Sequence, residues 1–276
     1  MGDVKITTDI FFRYLFGSES NKDLLLDFIN AVLVDADFRP VKDVFIKNPF
    51  NLSNLATLKE SILDVKAIDE NGSTFDIEVQ VAEEIDFGKR TLYYWAKNYS
   101  EQLEKGDEYY ELKPVICINI LNYNLFDEID KIHACFLIKE KDRDDFILND
   151  HFQIHFIEMS KFERDSKDIN EILKQWLLFM KYGDKEDLMR YAITDEKIYK
   201  AKEEYKKFTM NDELKESYEA HMKWVRDYNS GLSNSFSKGK IEGKIETARK
   251  MKEDGLSVEV ISKYTGLSRD EIENSK

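Results

Sequence analysis

Residues 61–80 read SILDVKAIDENGSTFDIEVQ, and the pairing of this stretch decides the fold. Two β-like runs flank Glu70-Asn71-Gly72, which is hairpin chemistry. Side chains alternate along a strand, so Phe75, Ile77, Val79 and Val81 share one face and Asp76, Glu78 and Gln80 the other. On the first run Leu63, Val65 and Ala67 share a face, with Asp64 and Lys66 opposite. A two-residue turn at Asn71-Gly72 would set Asp64 against Val79 and mix the faces. A three-residue loop, with Gly72 left-handed, instead sets Asp64 against Glu78, Lys66 against Asp76, Leu63 against Val79 and Val65 against Ile77. Burial of the apolar face selects the second register, because a one-residue slip flips every side chain. By spacing alone the polar face reads either as a solvated surface or as a converging carboxylate pair, Asp64 and Glu78. Two such carboxylates would suit a hard cation such as Mg²⁺, which prefers oxygen ligands. Gln80, on the same face, is placed to orient a water or a phosphate.

Around the hairpin, residues 9–34 carry a helical apolar period interrupted at Gly17-Ser18, and residues 41–46 form a short β candidate. Residues 86–104 return to helical spacing, with Leu92, Trp95, Ala96, Tyr99 and Leu103 as the expected apolar face. KPVICINIL, residues 113–121, is nearly continuous apolar sequence and fits a strand covered on both sides. Residues 133–139 and 152–159 are further strand candidates, and residues 169–181 form an amphipathic helix. Beyond that the chain is almost wholly helical and dense in both charges. SGLSNSFSKGKIEGKIETARK, residues 230–250, starts as a flexible linker, and its Lys/Gly repeat then turns helical. The end of the chain places two Gly-Leu-Ser turns beside short helices, either a helix-turn-helix or a small packing hairpin. This order predicts an α/β domain over residues 1–165, a helical extension over 166–230, and a linker with a small helical tail over 231–276.

Composition narrows the function. The 276 residues contain 41 Lys+Arg and 55 Asp+Glu, a formal net charge of −14, which excludes a generally basic nucleic-acid coat and leaves room only for a local basic strip. Two cysteines cannot build a disulfide framework or a four-cysteine zinc site, and they suit a reducing compartment. No run approaches a membrane span and the first residues lack a signal-peptide pattern, so the expectation is a cytoplasmic protein without a membrane partner. No Gly-rich phosphate loop is present, so nucleoside triphosphate use is not supported. Several residues carry two readings each. Asp9 is either an N-cap of the helix beginning at Ile10 or a further acidic contributor. Lys89 and Arg90 are either surface cations or contacts to a DNA phosphate. Tyr93, Tyr94, Trp95 and Tyr99 form either a core stripe or base-stacking aromatics. His151 and His155 share a strand face if the strand is regular, without an evident third zinc ligand. Cys117 and Cys135 fall in apolar strands and read as buried thiols.

Asp64 followed by Glu78-Val79-Gln80 after a hairpin resembles the PD-(D/E)XK nuclease motif in its E-x-Q form. The ordered blocks TDIFFRYLFG (8–17), NKDLLLDFINAVL (21–33), DVKAIDENGSTFDIEVQ (64–80) and KRTLYYWAKNYSEQLEKGDEYYELKPVICINIL (89–121) resemble the Rpn family of recombination-promoting nucleases, or transposase-like proteins, within that superfamily. KGKIEGKIETARKMKEDGLSVEVISKYTGLSRDEI (238–272) resembles the tail of the same family. The resemblance implies a restriction-endonuclease-like mixed sheet flanked by helices, with a helical C-terminal extension. It implies a Mg²⁺-dependent DNA endonuclease, with Mn²⁺ as the substitute cation, in bacterial recombination, mobile elements or phage defence. A catalytically weak DNA- or protein-binding module on the same fold is the alternative. By this resemblance Asp64 and Glu78 hold the metal with the Val79 carbonyl, and Gln80 stands where the motif lysine is usual. An amide stabilises phosphorane charge less than an ammonium does, which bears on rate. DNA is the implied partner; low affinity, strong regulation or a basic cleft formed on dimerisation would reconcile it with the acidic total charge, and the C-terminal helices are the candidate contact of a homodimer.

Overall fold

The computed structural model describes residues 4–50, 65–84, 86–163, 165–183 and 195–274, with the side chains of Asp9 and Leu232 excepted. Its contacts divide the chain into two units, Met1–Tyr218 and Glu219–Lys276. In the first unit α1 (Asp9–Gly17) and α2 (Lys22–Asp35) precede β1 (Val44–Ile46), β2 (Val65–Asp69) and β3 (Thr74–Gln80). Then follow α3 (Phe87–Ser100), β4 (Val115–Leu121), β5 (His133–Phe136), β6 (Lys139–Glu140), β7 (Arg143–Ile147) and β8 (Phe152–Glu158). The helices α4 (Glu171–Tyr182) and α5 (Glu196–Met210) close this unit, and α6 (Asp212–Glu253) runs on into the second.

Among the described residues six strands form one mixed sheet in the order β1-β2-β3-β4-β8-β5. The β1-β2-β3 edge and the β8-β5 edge are antiparallel, while β3-β4 and β4-β8 are parallel. The β3-to-β4 connection passes through α3, as a parallel crossover requires. Every residue of β4 is buried, in keeping with its unbroken apolar run and central place. The β6-β7 hairpin forms a separate two-stranded sheet that the apolar pattern did not signal, its strands being exposed and mostly charged.

The site hairpin has the register expected from its loop. Val65 faces Ile77 and Lys66 faces Asp76. Gly72 has φ +91°, and the Asp69 carboxylate accepts from the Asn71 and Ser73 amides at 2.8 and 2.7 Å, holding the three-residue loop. Gly72→Ala should therefore cost about 1 kcal/mol, since a Cβ disfavours positive φ, and it would also approach Lys113 Cγ at 3.2 Å. Gly243→Ala, inside α6 with open space around it, should instead stabilise by roughly 0.5–1 kcal/mol. Paired thermal melts distinguish the signs; equal shifts would refute the turn argument.

The apolar face, with Val65, Ala67, Phe75 and Ile77, is buried on the side of α1 and α2. There Phe16, Phe28 and Trp176 pack at 5.2–5.8 Å, and the Trp176 indole donates to Asp27 at 2.8 Å. The opposite side packs α3 over Val115, Cys117, Ile154 and Phe156. This helix is rotated from its expected face. Phe87 and Thr91 are buried, Trp95 and Tyr99 pack on the core, and Leu92 is exposed. The cause is the polar rim of β3, which draws Arg90 and Asn98 inward.

Three other expectations are corrected. Thr8, not Asp9, occupies the cap position of α1. Residues 230–240 are helical within α6 rather than a linker, since the cost of Gly at about 1 kcal/mol each is small against a long helix. His151 and His155 do not meet: His151 bonds Tyr99 at 2.9 Å, whereas His155 bonds His133, which in turn bonds Asp35. Cys117 is buried as expected and Cys135 half-buried; both are free thiols.

In the second unit the end of α6 packs with α7 (Val258–Thr265) and α8 (Arg269–Asn274) around Ala248, Ile261, Leu267 and Ile272. Gly255 and Gly266 take φ +81° and +68°, the left-handed conformation that ends a helix in both Gly-Leu-Ser turns. Ser268 and Glu271 cap α8 reciprocally. As the reading helix of a helix-turn-helix, α8 would present Asp270, Glu271 and Glu273 against Arg269, a poor charge set for phosphate.

Candidate active site

Strand β3 lies beside β4 in parallel register, Asp76 against Cys117 and Glu78 against Asn119. All four side chains face α3 and, with Thr91 and Tyr94, line a small cleft. The cleft is acidic at its sheet wall. Burial, with the Asp76 and Glu78 charges adding, pushes the Cys117 thiol well above its ordinary range, so without a metal it stays protonated at neutral pH.

Helix α3 runs antiparallel to β3 and meets it with residues four apart. Asn98 donates to Asp76 Oδ2 at 2.8 Å, and Lys66 Nζ reaches Asn98 Oδ1 at 3.3 Å. One turn earlier Tyr94 lines the cleft, and one turn before that Arg90 pairs with Glu78 Oε1 through Nη2. The Arg90 Nη1 contacts Glu84 at 2.6 and 2.8 Å, and its guanidinium lies 4.9 Å over the Phe87 ring. Gln80 Nε2 donates to the same Glu78 oxygen at 2.5 Å. Glu78 is thus half-buried and held by an amide from its own strand and a guanidinium from α3.

Of the residues singled out in the sequence, Glu78, Gln80 and Arg90 come together. Val79 lies on the opposite face of β3, so it can contribute only its carbonyl. Lys89 pairs with Asp86 at 2.7 Å on the surface. Asp64 lies outside the described residues, as does the Asp9 side chain. Asp76 was read only as part of the polar face, and Asn98 was not singled out; their signal was the i, i+4, i+8 spacing of polar residues on α3 over alternate polar residues on β3. Among the described residues no three His, Cys, Asp or Glu side chains converge as a metal cluster. The acids at hand, Asp76 and Glu78, nonetheless supply hard oxygen donors, the chemistry that Mg²⁺ or Mn²⁺ takes and softer metals do not.

A mixed α/β sheet with an acidic rim on a central hairpin and helices on both faces places the protein in the class of PD-(D/E)XK folds. Residues 6–235 match the family model of PD-(D/E)XK nuclease family transposases, and the chain belongs to that family. The resemblance seen in the ordered sequence blocks is borne out at this level. No curated protein and no solved structure gives a significant match. No helix among the described residues is long and apolar enough to cross a membrane.

Proposed function

We propose that the protein is a Mg²⁺-dependent DNA endonuclease whose metal is held by Asp64 and Glu78, with the Val79 carbonyl as a further ligand. The observation that carries this reading is Glu78 in an acidic cleft, gripped by Gln80 and Arg90, on the motif strand of a chain in this nuclease family. The described part of the hairpin supports this reading: Val65 faces Ile77 and Lys66 faces Asp76, as the three-residue loop requires. A divalent cation at these oxygens would polarise a phosphoryl oxygen and lower the pKa of a bound water. The chain's own residues do the rest. Gln80, anchored to Glu78, orients the attacking water or the scissile phosphate. Arg90 supplies the positive charge that an amide at position 80 lacks, shifting from Glu78 toward a phosphate as DNA arrives. Asn98 fixes Asp76 at the far end of the cleft, and Lys89 meets a flanking phosphate.

The same proposal gives the protein a homodimeric form through its C-terminal helices, where Trp224, Tyr228 and Phe236 are exposed along α6. It places the enzyme in the cytoplasm, acting in recombination, on mobile elements or against phage.

Plasmid nicking tests the reading. Wild type with Mg²⁺ or Mn²⁺ should nick supercoiled DNA, EDTA should stop it, and Asp64→Ala should lose it. Equal cleavage by wild type and Asp64→Ala would remove Asp64 from the site. No cleavage by wild type with either metal would favour the binding-module alternative.

A further inference from the structure

We propose that the cleft side of α3 is a stacking platform for an unpaired DNA strand, with the Tyr94 ring against a nucleobase next to the phosphate taken by the cleft. The inference rests on the nuclease reading and adds the form of its substrate.

The aromatic residues of α3 divide sharply. Trp95 and Tyr99 stack on each other at 5.0 Å with 16° between planes, and Trp95 packs on Phe152 while its indole donates to the Val115 carbonyl. Tyr94 and Tyr93, one residue earlier, are 44% and 63% exposed, and Leu92 beside them is 51% exposed. The Tyr93 and Tyr94 rings meet edge to face at 5.5 Å and 70°. Contiguous exposed apolar groups, unlike singly scattered ones, are the pattern of an interaction site. Tyr94 is also a wall of the carboxylate cleft, between Arg90 on Glu78 and Asn98 on Asp76. A ring there sits one helical turn from Arg90, the cation that would take the phosphate.

Charge points to the occupant. The helix carries Lys89, Arg90 and Lys97 and no acidic residue, in a chain of net charge −14. The Lys89–Asp86 and Lys97–Glu101 pairs at 2.7 and 3.7 Å are exposed, and such pairs are weak enough for a phosphate to displace. Cations alternating with exposed aromatic faces are the surface that single strands use, because every base offers a π-face. In a duplex those faces are hidden in the stack, so a ring beside the phosphate cleft engages only a base that is unpaired or extruded.

The test is fluorescence anisotropy of the full-length protein with a labelled single-stranded oligonucleotide and with the matching duplex, both in EDTA. Wild type should bind the single strand more tightly than the duplex. Tyr94→Ala should weaken single-strand binding about tenfold and leave duplex binding nearly unchanged, from the usual worth of one base–aromatic stack. Tyr94→Trp should retain it, while Tyr94→Leu, which keeps apolar bulk without a ring, should behave as the alanine variant. Lys97→Gln should weaken both forms together. Wild type binding the duplex as tightly as the single strand, or Tyr94→Leu matching wild type, overturns the proposal. Plasmid nicking measured in parallel separates the two readings. Nicking by wild type with no Tyr94 effect on strand choice sinks only the platform. Tyr94-dependent single-strand binding without metal-dependent nicking sinks only the nuclease.

Discussion

Glu78→Gln is expected to lower metal-dependent nicking by about 10²–10³-fold, the usual loss when one preorganised electrostatic contact to a reacting phosphate or its cation is removed. The substitution keeps the shape of the side chain and its hydrogen bond with Gln80, so the cleft remains and only the charge goes. Mn²⁺ affinity by titration calorimetry should fall with the activity. Arg90→Ala should move the two readouts apart. Its guanidinium sits on Glu78 in competition with a cation, so Mn²⁺ should bind more tightly without it. Nicking should still decline, because the charge offered to the phosphate is lost. A Glu78→Gln protein that nicks as wild type would remove Glu78 from the site. An Arg90→Ala protein with weaker Mn²⁺ binding would show that the guanidinium supports the site rather than competing for it.

The hairpin was legible because two independent constraints agreed. Burial demanded that Val65 face Ile77, and the three-residue loop with Gly72 delivered that pairing. The central strand β4 was legible from its unbroken apolar run. The seating of α3 was not. An apolar period read over residues 86–104 points to Leu92 and Ala96, yet both are exposed, because β3 presents the carboxylates of Asp76 and Glu78 to the helix. The helix therefore turns Arg90 and Asn98 inward to Glu78 and Asp76, a pairing that periodicity of hydrophobic residues cannot report. The same blindness hid Asp76, since an acid on a polar strand face looks alike whether it meets solvent or a helix. Residues 230–240 failed for a different reason. Gly and Ser lower helix propensity by small local amounts, and the surrounding charged helix formers outweigh them across forty-two residues.

Lys161→Met is expected to destabilise the first unit by about 3–5 kcal/mol, the cost of leaving a buried charge without its partner. The Glu158 side chain is fully buried at the end of β8 and Lys161 is 13% exposed, with Nζ 2.5 Å from Glu158 Oε2. The ammonium also donates to the carbonyls of Phe126 and Ile129 at 2.7 and 2.5 Å. The other Glu158 oxygen accepts from the Leu125 and Phe126 amides at 2.5 and 3.2 Å. One ion pair thus supplies partners to four backbone groups in the segment that leaves β4. That segment begins at Asn122, whose amide donates to the Gln80 carbonyl at 3.0 Å, so the staple bears on the end of the site strand. Methionine keeps the length and apolar stem of lysine, and the loss is confined to the ammonium. Urea denaturation followed by circular dichroism gives the free energy. Adding Glu158→Gln to Lys161→Met should recover part of it, because a neutral amide is cheaper to bury than an orphaned carboxylate while still accepting from the Leu125 amide. A single variant that loses less than about 1 kcal/mol, or a double variant less stable than the single, would show that water reaches Glu158 and that the pair is not holding the segment.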